Sequence, residues 1–182
     1  MDVLGHMIDD QGLRALPEKS ARIEAWTTSK NKKQLQEFLG VVNYICQFIP
    51  HLASITAPLT LLTGTEEFVW TSTDDHTMDN VKRAAAHNQI MKPIDHESAL
   101  PIWLITEVSD TGVGAWGGQG ETADTARPAA LHSRKFFNTQ MNYGTMDKEA
   151  FAIVDALTSF HHLLAGNEFT IVTDHQPLIT SP

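Results

Sequence analysis

The stretch TMDKEAFAIVDALTSFHHLLAGNEFTIVTD, residues 145–174, decides the fold. Thr145 is a good N-cap, and Asp147 in the first turn suits the positive end of a helix. Ala150, Ile153, Val154, Leu157, His161 and Leu164 recur at helical spacing, which predicts one stripe against a core. Gly166 predicts the stop. Phe169 and Ile171 then alternate with Thr170 and Val172, the period of a strand, as far as Asp174. A long helix followed by a short strand predicts an α/β arrangement.

Upstream of that helix, Ala99 to Thr106 reads as a strand with an edge-type proline, Pro101, near its start. Gly112, Gly114, Gly117, Gly118 and Gly120 crowd the next stretch. No long helix follows them, so they predict a glycine-rich strand and turn rather than a phosphate loop. Residues 129–136 predict a third strand. The first part of the chain reads differently. Residues 2–16 predict a hairpin turning at Asp9 to Gly12, and Pro17 predicts the start of a helix bearing Ile23 and Trp26. Thr27 to Ser29 offer N-caps for the next helix, where Leu35, Phe38, Leu39 and Val42 form an amphipathic set. Thr71 to Asp75 can cap a helix through Asn88.

Composition bounds the function. The chain has 182 residues and a net charge of −9, which argues against a surface that is one continuous phosphate-binding field. The acid is concentrated in residues 93–182, with four basic and eleven acidic groups. Arg14, Lys19, Arg22, Lys30, Lys32 and Lys33 share their stretch with only two acids, Glu18 and Glu24. They read as a solvated helix face, with a local phosphate contact as the alternative. The single cysteine, Cys46, excludes an internal disulfide framework and any multi-cysteine zinc site, and reads as a buried small hydrophobe. Phe38 to Thr65 contains no Asp, Glu, Lys or Arg, yet Pro50 and Pro58 interrupt it. That predicts buried helices rather than a membrane span. The start of the chain lacks the basic region of an export signal, so an intracellular location is expected.

Three acids sit where a bland domain would not need them. Glu107 ends the strand of Trp103 and Ile105, Asp174 ends the strand of Thr170 and Val172, and Glu149 lies in the second turn of the long helix. Ile153, Ala156 and Phe160 follow Glu149 at helical spacing, so it projects near the stripe that faces the sheet. If the two strands are parallel neighbours, their ends meet on one sheet edge. Clustered carboxylates repel unless protons or cations intervene, and hard Mg²⁺ prefers such oxygen ligands. Two such ions about 4 Å apart can activate water in phosphodiester hydrolysis. The plainer reading is that each acid is a solvated strand end or a helix-dipole partner. His175 follows Asp174 and can serve proton transfer or substrate phosphate. His161 and His162 read as packing and surface residues, Trp103 and Trp116 as core.

Short motifs then accumulate in order: Leu4-Gly5-His6, Pro17-Glu18-Lys19, Phe38-Leu39-Gly40, Asn43-Tyr44, Phe48-Ile49-Pro50, Ala57-Pro58-Leu59 and Phe68-Val69-Trp70, then Ser109-Asp110 with Gly112 and Gly114, Ser133-Arg134-Lys135, Asn142-Tyr143, Lys148-Glu149 and Thr173-Asp174-His175. This order resembles the polyprotein of gypsy-type LTR retrotransposons, from the end of the reverse transcriptase palm through the thumb into RNase H. The resemblance implies an α/β chain: palm end and helical thumb over 1–64, a connection over 65–98, and a C-terminally incomplete RNase H-like domain over 99–182. In that domain an antiparallel meander packs on a long helix, which leads to a strand parallel to the first.

The implied activity is cleavage of the RNA strand of an RNA–DNA hybrid with two Mg²⁺ or Mn²⁺ ions held by Glu107, Glu149 and Asp174. The implied partners are nucleic acid, with Arg14, Lys30, Lys32, Lys33 and His175 as candidate contacts, and a second copy through an exposed sheet edge. No membrane partner is expected. Two departures imply impairment. The family places aspartate where Glu107 stands; the extra methylene moves the carboxylate by roughly 1.5 Å, a misplacement that can cost about a hundredfold in rate. The sequence also ends before the family's last metal-binding aspartate. The alternative is a catalytically inactive remnant that contacts nucleic acid or protein.

Overall fold

The computed structural model describes residues 2–3 and 6–173. The expected hairpin forms between β2 (His6–Asp9) and β3 (Gly12–Ala15), but its first arm is shorter than the expected Val3 to Ile8: β1 (Asp2–Val3) is a separate strand, antiparallel to β2 in the same sheet. Asp9 accepts the Gln11 N–H across the turn. Gly12 has φ 138°, and a Cβ there would lie 2.3 Å from the Met91 carbonyl oxygen. Glycine therefore lets the hairpin lie against residue 91, where Leu13 and Met91 exchange two backbone hydrogen bonds of 2.7 Å.

Pro17 opens α1 (Pro17–Glu24) as expected. The cap of α2 (Lys32–Tyr44) is Asn31 rather than Thr27 to Ser29; its side chain accepts the Gln34 N–H at 3.0 Å. Leu35, Phe38 and Val42 point into the core from this helix, where they meet Ile23, Phe48 and Leu59. Pro50 precedes α3 (Leu52–Leu61), but Pro58 lies inside that helix instead of breaking it. The helix gives up the one backbone hydrogen bond proline cannot donate. Thr71 caps α4 (Ser72–Ala86) in a capping box with Asp74. Among the described residues no helix is long and apolar enough to cross a membrane.

The second sheet contains β4 (Ile102–Val108), β5 (Gly112–Gln119) and β6 (Arg127–Lys135). It is followed by α5 (Asn138–Met141), α6 (Thr145–Ser159), α7 (His161–Leu164) and β7 (Phe169–Thr173). Its strand order is β6-β5-β4-β7. The first three strands form the antiparallel meander, and β7 runs parallel to β4, with Thr106 opposite Thr173. The glycine-rich stretch is the strand β5. Its glycines serve a sheet covered on both faces: a Cβ on Gly117 would meet Leu163 at 3.0 Å, and one on Gly114 would meet His51 at 2.5 Å.

Helix α6 forms, but with its buried face turned from the expected stripe. Ala150 is exposed and Val154 is 62% exposed, while Glu149, Ala152, Asp155 and Ala156 face inward. Small Ala152 and Ala156 allow close approach to the sheet. Asp155 is tolerated there because β6 supplies Arg134 and His132 as partners. The helical part covers the other face: Ala53 N–H donates to Ser133 Oγ at 2.9 Å, and Ser54 Oγ lies 2.8 Å from Ser109 Oγ.

Candidate active site at the ends of the parallel strands

Strand alternation assigns the side chains of β4 to two faces. Ile102 and Leu104 join Ala115, Ala156 and Phe160 in the core under α6. Thr106, 1% exposed, shares that face through its pairing with Ala115. Trp103, Ile105 and Glu107 leave on the opposite face. Both glutamates of interest therefore sit near the C-terminal end of β4, on different sides.

Glu149 is 4% exposed. Thr173 Oγ1 donates to its Oε2 at 3.4 Å, which ties α6 to the last described residue of β7. A carboxylate this buried is costly unless it is hydrogen-bonded or meets a cation. Nearby on the same face, the Thr106 hydroxyl is buried and finds no hydrogen-bond partner among the described residues, which is uncommon for such a group. Glu107, by contrast, has a side chain 54% exposed, and its Oε2 lies 3.2 Å from His51 Nε2. Asp174 and His175 lie outside the described residues. Thr106 and Thr173 face each other in register, and Glu107 and Asp174 are the residues that follow them in the sequence.

The donor chemistry here fits a hard divalent cation, since both described candidates offer carboxylate oxygens. Among the described residues, no group of three or more His, Cys, Asp and Glu side chains stands ready to hold a metal.

The other sequence candidates divide. Arg14 pairs with Asp9, and Lys32 donates to the carbonyls of Gly64 and Glu66, so both are engaged within the chain. Lys30 and Lys33 are exposed. A groove of about 390 Å³ lies between α1 and α2, lined by Lys19, Arg22, Trp26, Glu37 and Tyr44. Lys19 lies 5.3 Å from the Tyr44 ring centre and Arg22 lies 6.0 Å from that of Trp26. Cations set over the rings of an exposed Tyr44 and a half-buried Trp26 place positive charge and aromatic surface on one groove, a combination that suits nucleic-acid contact. The basic residues were visible in the sequence, but the placement of Lys19 on α1 over Tyr44 on α2 was not.

Two further expectations need correction. Cys46 is exposed, on a cleft of about 510 Å³ between α2, α3 and β6. The cleft walls still desolvate it enough to push the thiol above its ordinary pKa. Trp103 and Trp116 are half-buried rather than core, and Trp103 Nε1 donates to Gly120 O at 2.9 Å. His161 and His162 are exposed. Sequence reasoning also missed the grouping of Ser159, His132 and Asp155. Ser159 Oγ and Asp155 Oδ2 both approach His132 Nε2, at 3.3 and 2.7 Å. A catalytic relay needs both ring nitrogens, so this trio clamps α6 to β6 instead.

Residues 97–181 match the family model of the RNase H-like domain found in reverse transcriptase. The Tf2-3 and Tf2-4 transposon polyproteins of Schizosaccharomyces pombe are each 34% identical over 179 residues, 97% of this chain. The chain carries the RNase H-like domain of retrotransposon reverse transcriptases. This RNase H-like chain spans 13% of the length of those polyproteins. Its fold matches that of a foamy viral protease-reverse transcriptase solved with double-stranded DNA, with a TM-score of 0.80 and 24% identity, over all of this chain and 32% of that one. The foamy viral enzyme solved with an RNA/DNA hybrid gives a TM-score of 0.79 over 25% of its chain. The antiparallel meander and the parallel return strand implied by the resemblance are both present.

Proposed function

We propose that this chain belongs to a reverse transcriptase polyprotein that hydrolyses the RNA strand of RNA–DNA hybrids, with Glu107, Glu149 and Asp174 as its metal-binding carboxylates. One observation carries the proposal: a buried glutamate, Glu149, is tied to Thr173 at the end of a parallel strand pair whose next residues in sequence are both acids.

When bound, Mg²⁺ or Mn²⁺ would supply an activated water and charge neutralisation at the phosphate. The chain's own residues do the rest. Thr173 orients the Glu149 carboxylate, and the core under α6 excludes bulk water from one side of it. Glu107 offers an exposed second carboxylate on a longer side chain than aspartate. Lys19, Arg22, Trp26 and Tyr44 line the groove proposed to meet the nucleic-acid backbone, and the exposed Lys30 and Lys33 are proposed as further contacts. The foamy viral enzymes solved with double-stranded DNA and with a hybrid support a nucleic-acid partner.

The test is cleavage of a labelled RNA–DNA hybrid in Mg²⁺ and in Mn²⁺. We expect weak, metal-dependent cleavage that Glu149→Gln removes. Salt-dependent hybrid binding without cleavage in either metal would favour the inactive interaction remnant instead.

A further inference from the structure

Resting on the reading of Glu107 as a metal-binding carboxylate, we infer that His51 is a latch: it holds Glu107 on the sheet face away from Glu149, so that the His51 contact and metal binding exclude each other. Four observations converge on it. His51 is the one non-glycine residue with positive φ among those described, at 54°. Such a conformation is costly and persists where the surroundings impose it. Its ring lies over Gly114, where a Cβ would stand 2.5 Å from Nδ1, so only glycine admits it. This placement brings Nε2 to 3.2 Å from Glu107 Oε2. The helix that His51 precedes is itself pinned to the sheet and the turn after β4, through Ala53 to Ser133 and Ser54 to Ser109.

The consequence follows from alternation. Glu107 shares its face with Trp103 and Ile105, while Glu149 meets Thr173 on the other. A cation shared by both glutamates must draw Glu107 around the strand end and away from the imidazole. The length of the side chain makes the latch work: an aspartate would fall short of Nε2 by roughly a further 1.5 Å. His51 is thus a positioning residue acting through Glu107.

The experiment is calorimetric titration of the full 182-residue chain with Mn²⁺ at one fixed pH, with folding of each variant checked by circular dichroism. A half-exposed pair of this kind is worth up to about a fivefold change in an equilibrium. His51→Ala should bind Mn²⁺ about two- to fivefold more tightly than the wild type. Gly114→Ala, whose Cβ displaces the ring while both His51 and Glu107 keep their identity, should show the same gain. In a Glu107→Gln background, His51→Ala should change nothing. Saturation with Mg²⁺ should shift the His51 imidazole resonances in the wild type. Unchanged or weaker Mn²⁺ binding in both His51→Ala and Gly114→Ala overturns the latch while leaving the nuclease reading intact. Wild-type Mn²⁺ affinity in Glu107→Gln itself overturns that reading, and the latch with it.

Discussion

On the α6 face of the four-stranded sheet, Leu104 and Thr106 are buried under a helix that carries the buried Glu149 and is joined to β6 by Asp155. On the opposite face, Ile105 and Glu107 lie against Pro50 and His51 in a shallow crevice, and Glu107 is half exposed. The same strand thus supplies one glutamate's neighbourhood that is dry and fixed, and another that is wet and adjustable. A buried carboxylate keeps its geometry because its surroundings cannot relax cheaply. An exposed one is held only by the partner that happens to reach it.

The largest expected effect tests the packed face. Leu104→Ala should cost about 3 kcal/mol, as cavity-forming changes in closed cores do. Ile105→Ala, one residue along on the crevice side, should cost under half as much. Urea denaturation of the two variants checks this, and equal losses would erase the difference between the faces. Next is the clamp. Asp155→Ala leaves His132 and Arg134 without their carboxylate and should cost about 2 kcal/mol, read as a lower thermal midpoint. Asp155→Asn should recover part of it by keeping an acceptor.

A smaller effect lies on the adjustable side. Glu107→Asp should raise cleavage of a hybrid by up to about tenfold in Mg²⁺, because the shorter carboxylate is freed from His51. No gain would count against Glu107 as a ligand. The smallest effect concerns Lys135 on β6, where burial pulls the ammonium below the ordinary lysine pKa. Between that lowered value and the unfolded one, the folded chain binds fewer protons, so stability rises with pH across this window. Lys135→Met should flatten that rise and stabilise the chain by less than about 1 kcal/mol at neutral pH, measured as thermal midpoint against pH.

Much of this architecture is legible in the sequence because it is local. The alternation of residues 169–173, the proline that opens α1 at position 17, and Thr71 with Asp74 each declare an element within a few residues. The rotation of α6 is not legible in that way. Ile153, Val154 and Leu157 make the more apolar stripe, but Asp155 turns inward because its partners lie 21 and 23 residues earlier on β6. Periodicity along one helix carries no record of such a pairing. Glu149 and Glu107 were visible as acids at element ends, and the inward projection of Glu149 followed from its spacing. The engagement of Glu107 by His51 depends on a glycine 63 residues further along, which leaves room for the ring where the sheet meets the helical part.

Whether the two glutamates serve one cation is tested most directly by Mn²⁺ binding to the wild type and to Glu149→Gln, measured calorimetrically on folded protein. Binding by the wild type that falls by at least about tenfold in Glu149→Gln is the expected result. Equal affinity in the two proteins would mean that the buried carboxylate on α6 serves the fold alone, and would contradict the assignment of this strand end as a metal-dependent active site.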